Sequence, residues 1–147
     1  MKKQGRNLAL ALLSLLVLGS VSSSKAQESV NPYGEPFKIR CTVYYPTGNP
    51  CANGRMPVEG LSVAGKSEWR DKACVMYECL EDGSRGDLIG IYEITDTGYG
   101  IPVPDSELGS IQAGLSIDRF CENEISGMRW IEQYGDYVYI QIIEAEG

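Results

Sequence analysis

The side chains best placed for chemistry are two aspartates in the stretch from Ile89 to Phe120. Asp96 closes the run IGIYEITD and opens the turn Asp96-Thr97-Gly98, while Asp118 follows Ile117 in GLSIDRF. Between them runs a polar loop rich in Gly, Pro, Asp and Ser. If that loop folds back, two carboxylates meet at the lips of β-structure. Neighbouring carboxylates cannot both ionise easily, so one pKa rises and that group carries a proton near neutral pH. The chain contains no His, which excludes His-assisted Ser or Cys nucleophiles. A Ser–Lys pair at Lys66-Ser67 rests on adjacency alone, and Gly98 and Gly100 lack the strand–GxGxxG–helix setting of a phosphate site. Carboxylate chemistry remains. A second reading stands beside it: an Asp before Thr-Gly at a strand end also serves as a turn-former that satisfies backbone donors, and Asp118 beside Arg119 can be an ion-paired strand terminus.

Short strands separated by turn signals must position these residues. KIRCTVYY, from Lys38, is rich in β-branched and aromatic residues and ends in the turn cluster PTGNP. Cys51 to Pro57 reads as loop, Val58 to Ala64 as a short strand and Cys74 to Leu80 as a strand. Glu81 to Gly86 is a hairpin-like turn before the strand from Ile89. In that strand Ile91, Glu93 and Thr95 alternate with Tyr92, Ile94 and Asp96. DYVYIQII closes the set. Such spacing predicts a mainly β, small barrel or sandwich. One short helix is expected over Glu122 to Gln133, where Ile125, Met128 and Ile131 recur every three residues beside Trp130; that face is expected to pack on the barrel beneath the Asp118 strand end. Tyr99 to Gln112 reads as a solvated loop. Its Asp105, Ser106 and Glu107, near Pro102 and Pro104, are too few oxygen ligands for a Ca²⁺ loop. Neither a cofactor nor a metal site is expected.

Basic residues Lys2, Lys3 and Arg6 precede an apolar run from Leu8 to Leu18, and small residues lead to Ser24-Lys25-Ala26. That order predicts a secretory signal peptide over residues 1–26, shorter in its apolar run than the roughly 20 residues that span a bilayer. Residues 27–37 read as a flexible lead-in and 38–147 as one domain. The whole chain carries a net charge of −7, from 13 basic and 20 acidic side chains. Losing Lys2, Lys3, Arg6 and Lys25 with the signal makes the mature domain more acidic still. Phosphate backbones would be repelled, so nucleic acid is disfavoured as a partner. In an exported chain Cys41, Cys51, Cys74, Cys79 and Cys121 are expected mostly in disulfides. Cys74 and Cys79 lie on one strand facing opposite ways, so they are not expected to pair. With no His, a Cys/His zinc site is impossible.

The combination CTVYYPTGNP, VEGLSVAGKSEW, the strand into Asp96-Thr97-Gly98, Ser116-Ile117-Asp118 and the closing DYVYIQII resembles the 3D domain over Lys38 to Ile143. This double-psi β-barrel family includes the barrel of membrane-bound lytic transglycosylase A and is related to the rare lipoprotein A barrels. The resemblance implies a six-stranded double-psi barrel acting on peptidoglycan or another glycan in the bacterial cell envelope, periplasmic or extracellular, as a monomer. It implies Asp118 as the catalytic acid and base, with Asp96 sharing its proton. Thr42, Tyr44, Thr97, Gly98 and Tyr99 are implied at the substrate groove; the strand tyrosines read mostly as core or cross-strand pairs, and Tyr44 and Tyr99 would stack on sugar if they line a groove beside Asp118. The family's Asp after the VA segment is missing: Gly65, Lys66 and Ser67 stand there, with Glu68 or Asp71 as substitutes. A barrel that keeps the fold and binds glycan without cutting it, as the expansin-type relatives do, is the alternative.

Overall fold

In a computed structural model the described residues are 31–99 and 104–144. The expected signal peptide, the start of the lead-in, Gly100 and Pro102 lie outside them. Six strands form a closed barrel: β1 Phe37–Tyr44, β2 Ser62–Ala64, β3 Ala73–Cys79, β4 Arg85–Asp96, β5 Ser116–Phe120 and β6 Tyr137–Ile143. Around the barrel the order is β1-β5-β2-β4-β3-β6, with β6 closing onto β1. Two neighbouring pairs, β1 with β5 and β2 with β4, are parallel; the other contacts are antiparallel. The expected mainly β six-stranded barrel is therefore present. No helix among the described residues is long and apolar enough to cross a membrane.

Alternation explains the core. On β1, Ile39 and Cys41 are buried inside while Lys38 and Arg40 are exposed. Val63, Cys74, Met76, Ile94, Ile117, Val138, Ile140 and Ile142 join them in one apolar cluster with Trp69 and Trp130. The opposite face of the β1–β5–β2 seam carries a smaller cluster, Tyr44, Ala64 and Phe120, with the Tyr44 and Phe120 rings edge to face at 5.4 Å. Strand β5 is buried at every position. Both its faces are covered, so a polar residue on either is taken out of water.

Helix α1 (Asp105–Gln112) occupies a region expected to be loop. Pro104 precedes it and Asp105 and Glu107 fill its first turn, where acids complement the helix dipole. Ile111 is fully buried. Gly98, at φ +90°, lets the helix come down: a Cβ there would sit 3.1 Å from Leu108 Cδ1 and 3.2 Å from Ile111 Cδ1. Gln112 fastens the helix's far end. Its Nε2 donates to the Thr97 carbonyl, and its Oε1 accepts from Ser67 Oγ at 2.8 Å.

Helix α2 (Glu124–Tyr134) lies within a residue or two of its expected span, with Asn123 Oδ1 accepting from Ser126 N–H at 2.9 Å as its N-cap. Its packing face differs from expectation. Gly127 and Trp130 are the buried positions, and Gly127 admits Tyr45 so closely that a Cβ would lie 2.5 Å from the phenol oxygen. Ile125, Met128 and Ile131 are 63%, 66% and 40% exposed. The close approach available only at glycine outweighed the three-residue apolar stripe. The cysteines also depart from expectation: all five are free thiols, and all but Cys79 are buried. Cys41 and Cys74 belong to the barrel's apolar cluster, where each serves as a small hydrophobe.

Candidate active site

Register assembles the site. Across four adjacent strands Thr42 pairs with Asp118, Asp118 with Ala64, and Ala64 with Asp96. Directly paired residues share a sheet face, so these four side chains lie in one row on the outer face of the seam. Asp96 reaches that face through a bulge. Val63 pairs with Ile94 but Ala64 with Asp96, leaving Thr95 unpaired. The regular alternation expected for this strand would have put Asp96 inside with Ile94; the extra residue turns it outward. With strands about 4.8 Å apart, the two aspartate backbones are separated by roughly 10 Å.

Asp118 is completely buried. Its Oδ1 accepts from Thr42 Oγ1 at 2.7 Å, and its Oδ2 is buried with no hydrogen-bond partner. The same Thr42 oxygen lies 2.9 Å from Glu107 Oε2, on α1. A hydroxyl has one proton, so it can serve only one of these two carboxylates. The other must supply a proton of its own. Burial pushes the Asp118 carboxyl up to about 7; the Thr42 hydrogen bond works against this, and the Glu107 charge adds to it. Asp118 thus holds a proton far closer to neutrality than an ordinary carboxyl group.

Asp96 is nearly as buried, at 4% exposure, but its surroundings are different. Oδ1 accepts from Thr97 N–H at 2.9 Å and from Ala52 N–H at 3.3 Å. Burial raises its pKa while the two N–H bonds lower it. This carboxylate closes its own turn and pins the Cys51 loop to the barrel. No hydrogen bond joins it to Asp118 among the described residues, so the expected proton sharing between the two aspartates has no geometry to support it. Glu107 occupies that place instead. In the sequence Glu107 falls in a stretch that reads as a solvated loop; Pro104 followed by acids, with Leu108 and Ile111 three apart, is the signal for a helix start.

The remaining candidates divide clearly. Thr42 touches Asp118. Tyr44 is 4% exposed, its Oη buried without a partner, and its pKa is raised by burial and by Cys51, Asp96 and Asp118 around it. Its ring is buried against Phe120, near enough to both aspartates to feel their charge. Thr97 and Gly98 are buried in the turn. Tyr99, 59% exposed, is the one of the five open to solvent. Glu68 and Asp71 stay outside: Glu68 faces Lys66 at 3.6 Å on the surface, and Asp71, at φ 70°, accepts from Asn53 Nδ2 at 3.3 Å. Gly65 instead sits where a Cβ would meet Ile94 and Trp69 at 3.4 Å. Chemically, the row presents one proton-bearing acid with a second carboxylate above it and a hydroxyl between.

No protein-family profile matches this chain, and no curated protein or solved structure matches it either.

Proposed function

We propose that this chain is a 3D-type double-psi barrel protein of the bacterial cell envelope that cleaves peptidoglycan strands in the manner of a lytic transglycosylase. The observation that carries the reading is Asp118: a buried carboxyl raised to about 7, at the strand position where the resemblance calls for the acid. The two parallel pairs joined through the antiparallel β5–β2 contact are compatible with a double-psi path.

In this reading Asp118 gives its proton to the glycosidic oxygen as the bond to the anomeric carbon breaks. As a carboxylate it then takes the proton of the C6 hydroxyl of N-acetylmuramic acid, whose oxygen closes onto that carbon. The acid is regenerated and a 1,6-anhydro end leaves without water. Glu107 favours the protonated starting state by its charge, and Thr42 orients Oδ1. Asp96 positions the turn beneath α1 and touches no reacting atom. Because Asp118 is sealed under α1, a sugar reaches it only when α1 and Glu107 move away.

That same sealing favours a second reading, a barrel that binds glycan without cutting it, with Tyr99 offering an exposed ring. Isolated peptidoglycan incubated with the wild-type protein and with Asp118→Asn separates the two. Anhydromuropeptides released by the wild type alone support the enzyme. Release by neither, with both proteins sedimenting with the wall, leaves the binding module.

A further inference from the structure

Next to Asp118 on β5, Arg119 projects to the opposite face, away from the candidate acid. Its residue is only 8% exposed. The guanidinium stacks on Trp130 at 4.1 Å from the ring centroid and lies 5.8 Å from that of Tyr92. Nη1 donates to Cys121 Sγ at 3.0 Å, and Nε is buried with no acceptor. Beside it opens a cavity of about 230 Å³ lined by Glu59, Arg119, Ser126, Arg129, Trp130 and Gln133. The last four sit at one side of α2, spaced three and four residues apart.

A buried cation without a counter-ion is costly, and stacked rings recover only part of that cost. Among the described residues neither arginine makes a salt bridge. The acid in the cavity wall is Glu59: its Oε1 accepts from Glu122 N–H at 2.6 Å and from Ser126 Oγ at 3.0 Å, and its charge acts on Arg119 from beyond salt-bridge distance. Two guanidinium groups therefore face a single carboxylate, and the cavity wall keeps a net positive charge in a chain of net charge −7. Guanidinium forks match carboxylate oxygens in pairs. Gln133 spends its Nε2 on the Tyr134 hydroxyl at 3.1 Å, leaving Oε1 to accept from a ligand N–H. The volume falls below the roughly 300–1,000 Å³ of sites for drug-sized ligands, so the occupant is small.

We propose that this cavity binds a carboxylate with an amide N–H beside it, as in an N-acylated amino acid or the C-terminal residue of a peptide. Arg119 forms its floor and Arg129 its rim; Gln133 reads the amide. The site stands independently of the glycan-cleavage reading.

The chain has two tryptophans, and Trp69 lies elsewhere in the core against Phe37, so the two indole N–H signals in an NMR spectrum of the full chain report separately. Titration with N-acetylalanine at constant ionic strength is expected to move the Trp130 signal saturably and leave that of Trp69 in place. The uncharged N-acetylalaninamide is expected to move neither. Arg129→Gln, at an exposed position that leaves the fold intact, is expected to weaken the response about tenfold or more. N-acetyl-trialanine binding more tightly than N-acetylalanine would identify a peptide end; the reverse order would identify a free acylated amino acid. The proposal is overturned if the amide or inorganic phosphate acts as well as the carboxylate, if both indoles move together, or if Arg129→Gln binds unchanged.

Discussion

Asp96 and Asp118 stand in one row, on one sheet face, both almost wholly withdrawn from water, yet the molecule uses them in opposite ways. At the end of β4, two backbone N–H groups point at Asp96 and stabilise its charge. On β5, Asp118 meets one shared hydroxyl, a second carboxylate and no donor for Oδ2. Burial raises both pKa values; the hydrogen-bond complement decides which carboxyl keeps a proton near neutrality. Depth alone does not make an acid.

Under the proposed function, the largest effect expected from breaking this contrast is on glycan release. Asp118→Asn keeps shape and volume but removes the transferable proton, and anhydromuropeptide release is expected to fall by about 10²–10⁴. Asp96→Asn keeps an oxygen acceptor for Thr97 and Ala52, so release is expected to stay within a few-fold of wild type.

Stability against pH should separate the two next. A carboxyl whose folded pKa is raised binds its proton more tightly in the folded state. Its contribution is fully present below the unfolded value near 3.9 and declines as pH rises, for Asp118 until about 7. Denaturant unfolding of the wild type is expected to lose on the order of 4 kcal/mol across that window from this group. Asp118→Asn should flatten the decline. Glu107→Gln removes a charge that raises the Asp118 pKa, so the decline should end at lower pH.

Smaller effects concern the turn that Asp96 holds. Gly98→Ala puts a Cβ at positive φ against Leu108 and Ile111 and is expected to cost about 1–3 kcal/mol, read as a lower melting temperature. Asp96→Ala strands two N–H groups and should cost about 1–3 kcal/mol. At the bottom of the scale, Met128→Ser on the exposed face of α2 is expected to change stability by less than about 0.5 kcal/mol.

How much of this was legible follows from which signals were local. Strands such as KIRCTVYY and DYVYIQII announce themselves by β-branched and aromatic runs, and the barrel follows from their spacing. Helix α1 was not read because Gly109 and its polar residues weaken the apolar pattern; tertiary contacts through Gly98 and Gln112 hold it down. The bulge at Thr95 leaves no mark on the alternation of IYEITD, so the face of Asp96 could not be read from it. The buried side of α2 was misassigned because the deciding contact, Gly127 against Tyr45, is long-range. Asp118 stands out in the sequence beside Ile117 on a strand, but its carboxylate neighbour Glu107 comes from a helix the sequence concealed.

The central claim is that Asp118 and not Asp96 keeps a proton close to neutral pH, and side-chain carboxyl ¹³C shifts followed by NMR from pH 2 to 9 test it most directly. The account predicts one aspartate, assigned to Asp118 by its absence in Asp118→Asn, titrating near 7, with Asp96 titrating below it. Asp118 titrating near 4 with the surface carboxylates, or Asp96 titrating above Asp118, would contradict the account.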